Sequence, residues 1–437
     1  MTKYTSLFLG LVLAAACTQV DYPDRFVQTA GVPKVDFVRY ADKDVIITQA
    51  NMEEVVCLVG ENLTSIHDIY FNDQAAVLNS SYMTAKTLVV AVPKNMPAVQ
   101  TDKIYMITKD STVVTYDFKV LPPAPKLTGM SLEWAQPGET VTLYGSYLFA
   151  PLTVEFPGVD PVEVSSSAGT SVDVVVPAGA QPGKVKVNTA SGTAQSVFMY
   201  KDSRGMLFDF DGLTGLDNHG WNGHSSRDDD GTGISGRFFQ FGDGSVELTG
   251  SWEEANFSFV YWPGSWNTPE NYQDGPMGAR LLDLADFSEW QNMALKFEIF
   301  VPSSNPWNNT PMHICMAGVE DVTFGNADIL DIYGNTVAGA NNRYMSGDGR
   351  PSAPRAIWEP WKATGSFSTG DKWQTVTIPL TDFNLGWDGN PASYGVSASS
   401  FASLWMFITN GGKEYPEGSC TPIIKIDNIR AVPYKYS

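Results

Sequence analysis

The chain has 437 residues, enough for two to four domains that each bury a core of their own. Its 28 Lys and Arg are outnumbered by 48 Asp and Glu, for a formal net charge of −20. That field repels phosphate backbones and argues against nucleic acid as a partner, while neutral polymers, held by stacking and hydrogen bonds, stay compatible.

Residues 1–17 read as an export signal: Lys3 supplies the positive start, and the apolar run Leu7 to Ala16 is too short to span a bilayer. Leu13-Ala14-Ala15-Ala16-Cys17 resembles a bacterial lipobox, which makes Cys17 the expected lipidation site. Several acyl chains there would anchor the protein without a transmembrane helix. An ordinary secretory signal with a chance cysteine is the alternative. Residues 18–32 follow as a polar tether.

Two β-rich segments, residues 33–121 and 122–202, then repeat one pattern about ninety residues apart. Val55-Val56-Cys57-Leu58-Val59-Gly60 matches Thr140-Val141-Thr142-Leu143-Tyr144-Gly145, and Leu88 to Pro93 matches Val172 to Pro177. Short β-branched runs between Gly, Pro and Asn turns, without a helical period, predict two immunoglobulin-like sandwiches. Pro122-Pro123-Ala124-Pro125 is a stiff connection between them. Neither copy concentrates aromatic or titratable residues, so both are read as spacers.

Residues 203–437 differ in composition. Of the twelve tryptophans, all but Trp134 lie in this part. Phe208 and Phe210 alternate with Asp209 and Asp211, and runs such as Leu295 to Val301, Leu404 to Ile408 and Ile423 to Ile429 keep the period of two expected of half-buried strands. A single larger sandwich of about 235 residues with elaborate loops is the expected architecture, so the whole chain is all-β.

Loops on a rigid scaffold are where binding groups concentrate, and five loop tryptophans stand out by context. Tyr261-Trp262-Pro263-Gly264-Ser265-Trp266, Pro306-Trp307-Asn308-Asn309 and Trp358-Glu359-Pro360-Trp361 set rings beside proline, which fixes the local backbone. Such rings can stack on the C–H faces of pyranoses while Asn308, Asn309, Arg343, Tyr344, Arg355 and Glu359 take hydroxyls, and preorganisation limits the entropy lost on binding. Each ring could instead cap a sandwich edge. Trp290, Trp373 and Trp405 lie in or beside strand-patterned runs and are expected in the core.

Asp209, Asp211 and Asp427 could give carboxylates to a structural calcium if the first and last strands are neighbours. The Asp228-Asp229-Asp230-Gly231 run is read as a solvated acidic loop. Cys57 and Cys315 look like buried strand residues, and spacing does not decide whether Cys420 pairs with Cys315. His-Glu-x-x-His, Gly-x-Ser-x-Gly and phosphate-loop motifs are missing. Glu253, Glu254, Asp283 and Glu298 could supply a glycosidase pair, although nothing in the sequence pairs them.

The order of lipobox cysteine, paired sandwiches of IPT/TIG type, and a tryptophan-rich domain opening Leu207-Phe208-Asp209-Phe210-Asp211-Gly212 and closing Ile426-Asp427-Asn428-Ile429-Arg430 resembles the surface glycan-binding proteins of Bacteroidetes polysaccharide-utilisation loci. Residues 203–437 resemble the xyloglucan-binding-type domain of that family. The resemblance implies an outer-membrane lipoprotein that captures a polysaccharide without cleaving it, beside an outer-membrane glycan transporter and a surface endoglycanase. It implies an aromatic platform, expected on Trp307, Trp358 and Trp361, with Trp262 and Trp266 next. The expected ligand is a β-glucan or xyloglucan-type hemicellulose, which residues 203–437 should bind alone. A surface glycoside hydrolase and an adhesin are the alternatives.

Overall fold

The computed structural model describes residues 29–97, 99–218, 226–263, 278–319, 328–331, 333–337, 352–415 and 418–435. Cys17, Trp266, Arg343 and Tyr344 lie outside them. The chain divides into two compact units, Met1–Pro123 and Ala124–Ser437.

In the first unit, a sheet ordered Ile46–Ile47, Lys34–Tyr40, Val55–Glu61, Thr87–Ala91 faces a sheet ordered Gln74–Ala76, Ile66–Phe71, Lys103–Thr108, Val113–Asp117. Lys103–Thr108 shows why: Ile104 and Met106 point inward between half-exposed neighbours and meet Leu58, Ile69, Phe71 and Phe118 in the core.

The second unit opens with the repeat of this sandwich. Lys126–Met130, Thr140–Leu148 and Gly169–Val175 form one sheet; Val162–Val164, Leu152–Glu155, Gly183–Thr189 and Gly192–Tyr200 form the other. The shared glycine has the same cause in both copies. A Cβ on Gly60 would sit 1.9 Å from the Lys34 carbonyl oxygen, and one on Gly145 would sit 1.9 Å from that of Lys126. Both glycines lie near a shift of register against the first strand of their copy, and two residues later Asn62 and Tyr147 both take a positive φ.

The C-terminal sandwich has an antiparallel sheet ordered Met206–Phe208, Ile424–Pro433, Met293–Phe300, Gln374–Pro379, with Phe239–Phe241 also paired to Ile424–Pro433. Facing it is a second sheet ordered Ser258–Tyr261, Ser403–Ile408, Met312–Ala317, Arg355–Trp358. Leu295, Phe297, Ile299, Met312, Ile314, Met316, Leu404 and Met406 fill the space between them. Met293–Phe300, Met312–Ala317 and Ile424–Pro433 are nevertheless buried almost throughout, so both faces of each sheet are covered.

The preceding sandwich covers the first sheet. Its Glu133 accepts from Lys296 and, at 2.8 Å, from Arg430, whose guanidinium also binds Glu298 at 2.7 and 3.0 Å. All four side chains are buried, and burial first pushes the Glu298 carboxyl up, against the pull of Arg430. Glu133 N–H donates to Thr375 Oγ1 at 2.7 Å, Thr375 N–H donates to the Ser131 carbonyl, and Trp373 and Phe238 enter the core of the preceding sandwich. The polar face that alternation in 295–301 would turn to water is thus a buried junction. The boundary drawn at residues 202 and 203 separates two sandwiches inside one compact unit.

Candidate functional site

Several rings singled out by their proline neighbours are packed away. Trp307 is fully buried; its Nε1 donates to the carbonyls of Asn309 at 2.7 Å and Thr310 at 2.9 Å, and its ring meets Trp358 edge-on at 5.6 Å. Tyr261 ends the strand Ser258–Tyr261 and Trp262 follows it, both buried. The Tyr261 hydroxyl donates to the Ala279 carbonyl at 2.6 Å on the inner face, and Trp262 packs 6.1 Å from Trp405 on the outer one. Burial removes a whole indole or phenol from water, a larger gain than proline's local rigidity can offset. These three rings therefore cannot stack on a ligand. Arg355 is fully buried as well and cannot reach one.

Trp358, Trp361, Asn308 and Glu359 keep partial exposure. Trp358 points toward the core between the sheets, beside Phe297 and Trp307. Asn308 accepts from Ser366 at 2.7 Å, and Glu359 pairs with Lys362 at 2.6 Å. Trp361, which its proline neighbour did single out, belongs to a surface row whose other members that reasoning missed.

That row begins at Trp252, 39% exposed, whose ring lies 4.8 Å from Phe407 and whose Nε1 donates to Glu254 at 3.2 Å. Trp387 is next, 6.1 Å from Trp252. It stands on a turn in which Asn390 donates to Asp388, its N–H donates to Ser352 Oγ at 2.8 Å, and its carbonyl accepts from Gly412 at 3.0 Å. Beneath the indole lie the Arg355 guanidinium, 5.3 Å from the ring centre, and the His313 ring at 5.4 Å. Burial, reinforced by Arg355, pushes the His313 imidazole down to about 3, which keeps it neutral.

Residues 410–413 cross beside Trp387 so closely that glycine is called for at positions 411 and 412. At Gly411, where φ is +65°, a Cβ would stand 2.6 Å from the Trp387 carbonyl oxygen; at Gly412 it would stand 2.8 Å from the indole. The same segment carries Lys413, whose ammonium sits 5.0 Å over Tyr415, and Tyr415 meets Trp361 at 6.1 Å. Trp361 is itself held by its Nε1 bond to the Thr310 carbonyl at 3.2 Å. Burial and the Glu359 carboxylate raise the Tyr415 phenol, so it stays protonated and able to donate. Two touching pairs, Trp252 with Trp387 and Tyr415 with Trp361, are thus joined through residues 411–415 into one row, with Asp388, Lys413 and Lys362 nearby in sequence. The signal for Trp387 was in Gly386-Trp387-Asp388-Gly389-Asn390, a loop marked by glycine and Asx residues.

The calcium expectation does not fit the donors present. Asp209 accepts from Leu213 N–H at 2.7 Å and Thr214 N–H at 3.1 Å, Asp211 from Arg237 N–H, and Asp427 from Ser235 Oγ at 2.8 Å and Asn428 N–H. Among the described residues no group of three His, Cys, Asp or Glu could hold a metal. Asp209 and Asp211 close loops beyond the end of Met206–Phe208, while Asp427 lies within Ile424–Pro433. Burial pushes Asp427 up to about 8. Cys57, Cys315 and Cys420 are free thiols.

The carboxylates considered for a glycosidase pair are mostly engaged elsewhere. Glu298 lies in the buried junction, Asp283 pairs with Arg280 at 2.8 Å, and Glu253 accepts from Asn256 N–H at the start of a short helix. Glu254 alone of the four touches the aromatic row.

A family model described as the surface glycan-binding protein B xyloglucan binding domain matches residues 200–433. The crystal structure of surface glycan-binding protein PbSGBP-B from Prevotella bryantii is similar at 41% identity and a TM-score of 0.78, covering 93% of this chain and 100% of that one. An IPT/TIG domain-containing protein of Bacteroides ovatus is 28% identical over 189 residues, 39% of this chain; the match spans only 37% of that relative's length.

Proposed function

Because this chain belongs to the surface glycan-binding protein B family, we propose that it captures a neutral β-linked glucan or xyloglucan-type hemicellulose without cleaving it. The observation that carries this reading is the Trp387 indole, supported from beneath by Arg355 and His313 and flanked by the exposed Trp252. A ring so held presents a rigid apolar face of the kind that packs on pyranose C–H groups, and little conformational freedom remains to be lost on binding. Tyr415 and Trp361 extend the row, so the ligand is a chain and not a single sugar. In this reading a lipid on Cys17 holds the protein at the outer membrane facing the medium, where it passes the polymer to a glycan transporter supplied by a surface endoglycanase.

Affinity electrophoresis of the soluble chain from residue 18 in gels containing xyloglucan, mixed-linkage glucan, laminarin, mannan or starch tests the proposal. Retardation on xyloglucan or mixed-linkage glucan without new reducing ends is expected. Cleavage products would reject the non-catalytic reading, and migration unchanged on every gel would reject glycan capture.

A further inference from the structure

We infer that Arg355 is a positioning residue for glycan capture: it does not touch the polysaccharide but fixes the Trp387 indole that does. The inference rests on the platform reading above. Arg355 and Leu385 exchange both backbone hydrogen bonds, at 2.8 and 3.1 Å, and Trp387 lies two residues beyond Leu385. Leu385 thus fixes the start of the turn that carries Trp387, and the turn brings the indole over the guanidinium. The separation of 5.3 Å lies within the range in which a cation is attracted to a ring face.

Arg355 is fully buried, so its guanidinium is held among fixed neighbours beside the Trp387 ring. The ionisable neighbours are compatible with the cation: burial keeps His313 neutral, and bonds from Asn390 hold the Asp388 carboxyl below the usual range, with Arg355 the smallest contributor. Arg355 Nε donates to the Ala353 carbonyl at 3.3 Å, which ties the group to its own strand. The guanidinium is therefore anchored on the sheet, 5.3 Å from the centre of the half-exposed Trp387 ring.

A double-mutant cycle on the soluble chain decides the matter, with xyloglucan affinity and the near-ultraviolet circular dichroism of the Trp252–Trp387 pair as readouts. R355M is expected to lose about tenfold in affinity and to alter the tryptophan signal. In a W387A background it is expected to lose nothing more, because the residue it acts through is gone. R355K, which keeps the charge, is expected to lose about threefold in the parent and nothing in W387A, and it decides the case by itself if R355M does not fold. Equal losses in both backgrounds, or parent-like affinity in both Arg355 variants, would overturn the positioning role. If W387A itself binds like the parent, the platform reading fails and the positioning role with it.

Discussion

Removing the Glu133 carboxylate should loosen the junction between the second and third sandwiches. In the native network two anions, Glu133 and Glu298, meet two cations, Lys296 and Arg430, and all four are at most 3% exposed. Glu133→Ala leaves one carboxylate for two buried cations. Breaking a buried pair by removing one partner costs about 3–5 kcal/mol, because the remaining charge is neither hydrated nor matched. Urea unfolding of residues 124–437 followed by tryptophan fluorescence would read the change, since Trp373 packs at the junction against Phe238 and Phe300. The companion substitution of Lys296 by Met should recover most of the loss, leaving Arg430 and Glu298 matched one to one. A cost under about 1 kcal/mol for Glu133→Ala would refute the argument, since it would mean that water reaches the network. The same logic applies to the fragment 203–437, which lacks Glu133. It should be less stable than 124–437, and a binding deficit in it would be a folding effect before it was a ligand effect.

Other consequences are open to direct measurement. Trp387→Ala or Trp252→Ala should weaken retardation in xyloglucan gels severalfold or more while the melting temperature stays close to the parent's; strong destabilisation would assign those rings to structure. Trp307→Ala should do the reverse, costing about 3–5 kcal/mol of stability in denaturant titrations as a buried indole is lost from the core. Asp427, raised in the folded state to about 8 mainly by burial, makes its native site bind a proton more tightly than the unfolded chain does. Its contribution to stability is therefore fully present below about pH 4 and lost as pH rises to about 8. Thermal melts of Asp427→Asn should fall less steeply across that window than those of the parent, and parallel pH profiles would contradict the shift. Gly412→Ala should lower affinity, because its Cβ would press on the Trp387 ring.

How much of this was legible in the chain depends on the range of the cause. Gly60 and Gly145 were visible as a repeat, since each answers a backbone approach repeated in its own copy. The alternation of Leu295, Phe297 and Ile299 with Lys296 and Glu298 marked a strand and chose its apolar face. It could not say that the polar face would be buried too, because Glu133 arrives from residues far away in sequence. The aromatic content pointed to the third sandwich as the place to look for binding, yet proline neighbours selected the interior Trp307 and Trp262 beside the half-exposed Trp361, and passed over the proposed platform rings Trp252 and Trp387. Period and turn chemistry are local properties, so the sequence by itself determined the all-β class, the repeat and the family. Exposure depends on which segments close over each face of a sheet, so only the tertiary structure decided which indoles meet solvent and which charges are matched in the interior.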